Sequence, residues 1–300
     1  MTSPGRRLRD AYAKGTVQIP GVYNPLVARL AEEAGFDAIY LSGAALSASM
    51  GLPDVGLVTL TEFVDFARSI TTACKLPLIA DADTGFGEAL NVERTVQQYE
   101  GAGLAGLHLE DQIMPKRCGH LSGKKIVSCE EMCAKIRGAV GGRRDPDFII
   151  IARTDARGVS SMEDAITRAK AYQAAGADVI FIEALKSEQE FADFAKAVPG
   201  PLLANMTEFG QTPLMDVQKL ASMGYQLVIY PVTLLRLALQ SSKLALQAIK
   251  QQGHQQNLIP QMLTRQELYD LLGYTGYEAR DKTYFGDSSQ LSAVSYQPGK

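Results

Sequence analysis

One local pattern recurs four times in this chain and restricts its fold more than any other feature. Each copy contains the end of a predicted helix, a glycine, and then a short apolar run, and the copies occupy residues 33–43, 101–111, 174–184 and 222–232. The glycine suits the left-handed residue that ends many helices. Apolar runs without polar alternation are typical of parallel strands that are buried on both faces. The pattern therefore predicts repeated helix–strand units around a parallel sheet.

Four further apolar runs, beginning at Thr16, Pro77, Phe148 and Pro201, bring the predicted strands to eight. Helix-like stretches lie between them, and Ser128, Ser160-Ser161 and Thr212 are expected to precede three of these helices. The predicted helices cover residues 25–34, 61–74, 88–101, 129–140, 161–175, 187–197, 213–223 and 232–251. This alternation predicts an α/β fold of the (β/α)8 TIM-barrel type. An open doubly wound sheet is the alternative, and the lack of a glycine-rich dinucleotide fingerprint after the first strand argues against it.

Two segments lie outside the predicted barrel. Residues 3–14 form a predicted N-terminal helix, and residues 252–300 form a C-terminal helical extension and polar tail with a helix around 264–272. The last ten or so residues are expected to be disordered. No linker divides the chain, so residues 1–300 are expected to form a single barrel domain, a size common for such folds.

Composition excludes several classes of partner. The net charge is −3 and charged residues make up 21% of the 300 residues, which gives no basis for nucleic-acid or membrane binding. No apolar run is long enough to span a bilayer, and no signal peptide is recognised. The four cysteines do not make a disulfide framework. We therefore expect a cytoplasmic protein in which Cys74, Cys129 and Cys133 are small core residues.

Polar residues occur at the predicted strand ends, where a barrel core normally has branched apolar side chains. Active sites of such barrels lie at these carboxyl ends, and period-two spacing puts each pair of polar residues on one face. The candidate site residues at these ends are Tyr40, Ser42, Gly43, Ala44, Asp81, Asp83, His108, Glu110, Arg153, Glu183, Asn205 and Thr207.

The aspartate pair indicates a metal. Asp81 and Asp83 would repel each other on one face unless a cation lies beside them. Oxygen ligands without a His/Cys cluster favour Mg²⁺ or Mn²⁺ over zinc. Arg153 offers a planar fork for a substrate carboxylate, although an ion pair with Glu110 or Glu183 is the alternative. A single buried polar residue such as His108 can also serve only to satisfy hydrogen bonds.

A basic loop follows the fourth predicted strand. We call residues 115–125 the flap; it places Cys118 among Lys116, Arg117 and His120, cations that favour a thiolate, and Gly119 lets the backbone bend. A solvated loop with an incidental cysteine is the alternative. A thiol on a closing flap can move a proton at carbon, and a metal can polarise the oxygen beside a scissile C–C bond. Together these parts predict an aldol-type lyase acting on a hydroxy polycarboxylate.

The same residues carry a family resemblance. Lys116-Arg117-Cys118-Gly119-His120 resembles the signature of the isocitrate lyase superfamily, and the segments 41–44, 81–87, 108–112 and 205–208 support it. The match runs over nearly the whole chain, which lacks the large insertions of isocitrate lyase proper. The resemblance implies Mg²⁺-dependent cleavage of 2-methylisocitrate to pyruvate and succinate, a step of propionate catabolism.

The resemblance also implies roles for individual residues. Asp81 and Asp83 would hold the metal, with Asp54, His108 and Glu110 around it through water. Cys118 would donate a proton to the succinate-side carbanion, and Tyr40 would help to handle the hydroxyl proton. The implied substrate-binding residues are Ser42, Gly43, Ala44 and Arg153 for the pyruvate part, and Cys118, Gly119, His120, Glu183, Asn205, Met206, Thr207, Arg236 and Arg265 for the remainder. The family further implies a homotetramer with exchanged C-terminal helices, formed by residues 252–285.

Several alternatives remain. Phosphoenolpyruvate mutase shares the expected barrel, but the Cys-Gly-His flap argues against it. Lyases that act on isocitrate, dimethylmalate or oxaloacetate are the nearest rivals. A pyruvate-binding barrel without catalysis is the rival from another class.

Overall fold

The structure, a computed structural model, describes residues 2–121 and 123–285. The strands are β1 Val17–Pro20, β2 Ile39–Leu41, β3 Leu78–Asp81, β4 Gly106–Glu110, β5 Ile149–Thr154, β6 Val179–Ile182, β7 Leu202–Asn205 and β8 Leu227–Tyr230. The helices of the barrel region are α1 Pro4–Lys14, α2 Pro25–Glu33, α3 Gly43–Ser49, α4 Leu60–Ala73, α5 Ala89–Gly101, α6 Cys129–Gly142, α7 Ala156–Val159, α8 Met162–Ala174, α9 Glu188–Ala197, α10 Val217–Ser222 and α11 Thr233–Gln252.

The eight strands form one parallel sheet in the order β1-β8-β7-β6-β5-β4-β3-β2. Its two end strands meet through a parallel bridge between Gly21 and Tyr40, beside which the Val22 amide donates to the Tyr40 carbonyl at 2.8 Å. The sheet is thus a nearly closed barrel. The predicted (β/α)8 fold is confirmed, and the open doubly wound alternative is wrong.

Side chains alternate across the barrel wall. On β5, Ile150 and Ala152 pack outward in the core beneath the helices, while Ile149 and Ile151 belong to the inner cluster. Leu8 of α1 also lies in that inner cluster, so α1 packs against the interior of the barrel. The next inward position on β5 is Arg153, at the carboxyl end. Every second residue of β5 points inward, so the same face of one strand is apolar inside the barrel and polar at the carboxyl end.

Most predicted helices are present, and their caps explain where they begin. Ser128 and Ser161 cap α6 and α8 as predicted, each accepting a hydrogen bond from a backbone amide of the first turn. The prediction of a helix from residue 213 is wrong, because Asp216 caps the helix and accepts from the Lys219 amide at 2.8 Å. Two short helices that directly follow strands, α3 and α7, were not predicted from the sequence pattern.

The chain divides into two compact units, residues 1–241 and 242–300. In the described part of the second unit, the end of α11 is followed by a 3₁₀ helix Gln256–Gln261, α12 Arg265–Leu272 and α13 Tyr274–Phe285. Helix α12 is the predicted C-terminal helix, and a capping box between Thr264 and Glu267 starts it. The expectation for the last ten residues lies outside the described residues. The predictions of a single domain and of exchanged helices stay predictions.

The described helices include none that is both long and apolar enough to span a membrane. Cys74 is buried in the core as expected, whereas Cys129 and Cys133 are half-buried and pack against the outer core. All four cysteines are free thiols.

Substitution of Gly21 tests how tightly the first and last strands of the barrel pack together. A methyl group built on Gly21 would lie 2.5 Å from the carbonyl carbon of Pro231, whereas one built on Gly15 meets nothing within 4 Å. We expect Gly21→Ala to lower the free energy of unfolding by about 1–3 kcal/mol, the usual cost of overpacking. Gly15→Ala is the matched control and should change it by less than about 0.5 kcal/mol. Urea unfolding of both variants measures the difference, and equal stabilities would contradict tight closure at Gly21.

Candidate active site

A cavity opens at the carboxyl ends of the strands, and most of the predicted site residues line it. Residues from at least six strand ends converge there, together with the flap. The predicted residues that line the cavity are Tyr40, Ser42, Ala44, Asp54, Asp81, Glu110, Cys118, Gly119, His120, Arg153, Glu183, Asn205, Thr207 and Arg236.

The aspartate pair lies beside this cavity, next to a cation from the flap. Asp81 accepts the amides of Gly43 at 3.1 Å and Asp83 at 2.9 Å. The ammonium of Lys116 lies 2.7 Å from Asp83 Oδ1 and 2.5 Å from Asp54 Oδ1, with its side chain only 3% exposed. Within the protein itself, the expected cation beside the aspartate pair is therefore Lys116, which lies on the same flap as Cys118.

Burial changes the acidity of the carboxyl groups here. Burial, partly offset by Lys116 and reinforced by Asp81, raises the pKa of Asp83 to about 6. Burial also raises the pKa of Glu110 well above its ordinary value, although Arg153 and Lys116 oppose it. Asp83 is therefore mostly ionised at neutral pH, and Glu110 takes up a proton more readily than an ordinary glutamate does.

Tyr40 and His108 form a buried pair. The Tyr40 hydroxyl and His108 Nε2 share a hydrogen bond of 2.7 Å, and that nitrogen lies 3.7 Å from Asp81 Oδ1. Burial lowers the pKa of His108 to about 4 and, with Asp81, raises the pKa of Tyr40 well above 10. At neutral pH both groups are uncharged, so Tyr40 offers a hydroxyl proton and cannot serve as a ready phenolate base.

Arg153 is held by three carboxyl groups. Its guanidinium donates to both oxygens of Asp155, at 2.9 and 3.2 Å, and lies 3.3 Å from Glu110 and from Glu183. It also lies over the ring of Phe181, 5.1 Å from the centroid. The ion pairs considered as an alternative to substrate binding are therefore present. They fix the guanidinium plane at the cavity wall.

The flap lies against this arginine. A methyl group built on Gly119 would overlap the Arg153 guanidinium and lie 2.5 Å from Glu183 Cγ, so only glycine fits. His120 Nδ1 accepts the Gln211 amide at 3.1 Å, and its Nε2 lies 3.2 Å from Glu183 Oε1. Because Nδ1 accepts, the ring proton belongs on Nε2, facing Glu183. Cys118 is thereby held at the cavity wall beside Gly119.

Other predicted residues lie elsewhere. Gly43, Asp83 and His108 stand behind the cavity-lining side chains, and Met206 is buried in the outer core, where its sulfur accepts the Met215 amide at 3.4 Å. Arg265 begins α12 in the C-terminal unit, and its role stays a prediction. Arg236 lines the cavity but also pairs with Glu208 at 3.0 Å.

The sequence pattern gave no role to Asp155 and did not predict the contacts of Lys116 with Asp54 and Asp83. Asp155 directly follows β5 and lies two residues after Arg153, so the short spacing between them already pointed to a contact. No local sequence pattern predicts the contact between Lys116 and Asp54, because the two residues are far apart in the sequence and both lie in loops.

The donor set fits a hard divalent cation with few protein ligands. No group of three or more His, Cys, Asp or Glu side chains among the described residues could hold a metal ion together. Mg²⁺ keeps several waters and commonly uses one or two carboxylates. Asp81 and Asp83, with Asp54 nearby, provide such ligands, and Lys116 shows that this spot already stabilises positive charge.

Comparison with known proteins identifies the family to which this chain belongs. A sequence model of the phosphoenolpyruvate phosphomutase family matches residues 8–250. The chain belongs to the phosphoenolpyruvate mutase/isocitrate lyase superfamily. It is 52% identical to a 2-methylisocitrate lyase of Aeropyrum pernix over 97% of this chain and 94% of that one. It is 46% identical to a 2,3-dimethylmalate lyase of Eubacterium barkeri, over 87% and 90% of the two chains.

Solved structures of this superfamily share the fold. Oxaloacetate acetylhydrolase in complex with 3,3-difluorooxalacetate superposes with a TM-score of 0.90 at 37% identity, covering 95% of this chain and 98% of that one. Phosphonopyruvate hydrolase in complex with oxalate and Mg²⁺ superposes with a TM-score of 0.86 at 33% identity, covering 95% and 100%. At least one member of this superfamily therefore binds Mg²⁺.

Arg153→Met tests the carboxylate clamp through pH. Burial alone would raise the pKa of Glu183, but Arg153 and His120 outweigh burial and hold it below its ordinary value. A lowered pKa stabilises the fold above the unfolded value, about 4.3, and this contribution disappears as pH falls. We expect Arg153→Met to lose about 3–5 kcal/mol at pH 7, the range for breaking a buried pair.

The loss should shrink as pH falls below about 4.3, because Glu183 takes up a proton in the unfolded chain and in the folded variant but stays ionised in the folded parent protein. Denaturant unfolding between pH 3 and pH 8 measures it. The exposed Arg144→Met is the matched control and should remain close to the parent protein throughout. A deficit that does not depend on pH would contradict the electrostatic clamp.

Proposed function

We propose that this chain is a Mg²⁺-dependent carbon–carbon lyase that cleaves 2-methylisocitrate to pyruvate and succinate. The observation that carries the proposal is the convergence, on one cavity, of the aspartates beside Lys116, the clamped Arg153 and the Cys118 thiol. These are the three parts that a retro-aldol cleavage of a hydroxy polycarboxylate requires: stabilisation of oxygen charge, a carboxylate anchor and a proton donor at carbon. The 52% identity to a 2-methylisocitrate lyase supports the choice of substrate.

The charge of the site supports the need for a divalent cation. Buried acidic residues at the barrel mouth are Asp81, Asp83, Glu110, Asp155 and Glu183, against the buried cations Lys116, Lys124 and Arg153. Even with Glu110 protonated, the ionised carboxylates outnumber these cations. A tricarboxylate substrate would add three negative charges, which a low-dielectric cavity disfavours unless a cation accompanies it. Mg²⁺ bound by Asp81 and Asp83 would offset this charge and polarise the substrate oxygen.

The residues around the pyruvate part would orient it. Arg153 is already held in a fixed plane, which spares the entropy of ordering a free side chain when a carboxylate binds. The N-terminus of α3 at Ser42–Ala44 adds backbone donors, one of which, the Gly43 amide, already binds Asp81. Tyr40 is protonated at neutral pH, so it would stabilise the substrate hydroxyl oxygen as a hydrogen-bond donor. The group that removes the hydroxyl proton would then be a different one.

Cys118 would supply the proton at the other end of the bond. Cleavage leaves an electron pair on the carbon beside the succinate carboxylate, and that carbon must be protonated. A positioned thiol can deliver that proton as a general acid. The flap brings Cys118 to the cavity next to Gly119, whose backbone lies against Arg153. Asn205, Thr207 and Arg236 would face the succinate part.

The chain is also proposed to form a cytoplasmic homotetramer that exchanges C-terminal helices. The C-terminal unit supports exchange, because several of its large apolar side chains are exposed: Leu244, Leu246, Ile249, Ile259 and Leu263. Such side chains normally mark an interaction surface. Sedimentation velocity would show a monomer if this is wrong.

The substrate panel is the decisive test of the proposed function. Pyruvate release should occur with 2-methylisocitrate, stop with EDTA and return with Mg²⁺. One methyl group in the apolar part of the cavity, near Ile229 and Val232, discriminates by only about 1–3 kcal/mol, or roughly 10–200-fold. We therefore expect a preference for 2-methylisocitrate over isocitrate with some residual activity.

The same substrate panel distinguishes the proposed function from the alternative functions. Faster turnover of 2,3-dimethylmalate or oxaloacetate would assign the chain to a related lyase, an outcome that the 46% identical dimethylmalate lyase makes worth testing. Pyruvate binding without turnover of any substrate would indicate a non-catalytic barrel. Full activity after exhaustive chelation would refute the metal.

Cys118→Ser tests the proton donor. A serine hydroxyl is far less acidic than a thiol and would donate poorly, so turnover should fall by about 10²-fold or more, the scale of general acid catalysis. Pyruvate and Mg²⁺ should still bind, as isothermal titration would show. Cys133→Ser, on α6, is the control and should keep parental turnover. Near-normal turnover of Cys118→Ser with intact binding would remove the thiol from the mechanism.

A further inference from the structure

Lys124 differs from the neighbouring lysine of the flap. Its side chain is only 3% exposed, whereas Lys125 is exposed to solvent. The Lys124 ammonium lies 2.6 Å from Asp155 Oδ1 and also donates to the Gly119 carbonyl. The lysine side chain crosses Gly158, where an added methyl would lie 3.2 Å from Nζ. A buried ammonium with two acceptors is a specific contact and does not behave as a solvated loop charge.

Asp155 is a fixed anchor in the barrel wall. Its other oxygen accepts Arg153 Nε at 2.9 Å, and its backbone amide donates to Asp111 Oδ1 at 2.9 Å. Asp111 is itself held by the hydroxyls of Thr154 and Tyr172, each at 2.8 Å. The flap therefore binds, through Lys124, to a carboxylate whose position is set by the barrel and which also orients Arg153.

The acceptor on the flap lies one residue from the thiol. Gly119 follows Cys118, and its backbone packs against Arg153 and Glu183 so closely that a methyl group would not fit. A shift of Gly119 away from the wall would move Cys118 with it. Lys116 does not make this contact, because its ammonium lies at Asp54 and Asp83.

We propose that Lys124 is a positioning residue that latches the flap closed over the cavity, by tying the Gly119 carbonyl to Asp155. Lys124 is absent from the residues that line the cavity, so it acts through Gly119 and Asp155 rather than on substrate. The latch concerns the position of the Cys118 thiol, and only the chemical use of that thiol rests on the proposed function. Replacing Lys124 leaves Arg153 paired with Asp155, so the carboxylate anchor survives.

The test measures the exposure of the thiol directly. Iodoacetamide alkylation of Cys118 is followed by mass spectrometry in Lys124→Met, which keeps the length of the side chain and removes its charge. Loss of the charge-assisted hydrogen bonds should increase the alkylation rate of Cys118 about tenfold or more. Lys125→Met is the matched control and should react at the parental rate. Cys129 and Cys133 on α6 report the integrity of the barrel and should be unaffected.

A second variant displaces the ammonium without removing it. Gly158→Ala places a methyl against Lys124 and should also increase Cys118 alkylation, by a smaller factor, which provides a test should Lys124→Met fold poorly. In the substrate assay, Lys124→Met should lower kcat while the inhibition constant of pyruvate stays within about twofold, because Arg153 is intact.

The alkylation result is independent of which substrate the enzyme uses. Faster labelling of Cys118 alone supports the latch even if the substrate assignment fails. Parental labelling of Cys118 in both variants would overturn the latch even if the lyase activity is confirmed. Equal acceleration at Cys118, Cys129 and Cys133 would also overturn it, because that outcome indicates general loosening.

Discussion

Burial of several carboxylates at the mouth of the barrel is the constraint on which the site depends. Charges taken out of water are costly unless they are paired, and Asp81, Asp83, Asp155 and Glu183 are all buried there. Arg153, in the barrel wall, forms ion pairs with Asp155 and Glu183. Lys116, on the flap, forms an ion pair with Asp83. The closed position of the flap is therefore part of the charge balance of the barrel.

This arrangement gives the flap two electrostatic attachments with different consequences. Lys116 lies where a divalent cation would also be stabilised, so the lysine and the metal draw on the same carboxylates. Lys124 instead contacts Asp155, on the side of Arg153, away from the aspartate pair. If a metal binds as proposed, it would rearrange the Lys116 attachment, while the proposed Lys124 latch would continue to hold Gly119 and Cys118 in place. A lyase that admits a highly charged substrate and then excludes water benefits from such a division.

The superfamily relationship explains why fold alone does not assign the reaction. Structures with TM-scores near 0.9 to this chain include an oxaloacetate acetylhydrolase and a 2,3-dimethylmalate lyase. Function lies in the side chains placed on a shared barrel. For this chain the proposed side chains are the thiol of Cys118 and the clamped Arg153, which line the same cavity.

The residue pattern alone was enough to predict the barrel and the inward face of each strand. Buried runs after helix-ending glycines required parallel strands, and the spacing of Ile149, Ile151 and Arg153 placed the arginine on the interior. The predicted start of a helix was correct at Ser128, which caps α6. The start predicted at Thr212 was wrong, because Asp216 caps that helix instead. The binding partners of the flap lysines became evident only in the folded chain. Their partners are distant in sequence and lie on other loops, and periodicity carries no information about contacts between loops. Burial set by the closed barrel made Lys116 and Lys124 structural cations, although their local sequence looks like a solvated basic stretch.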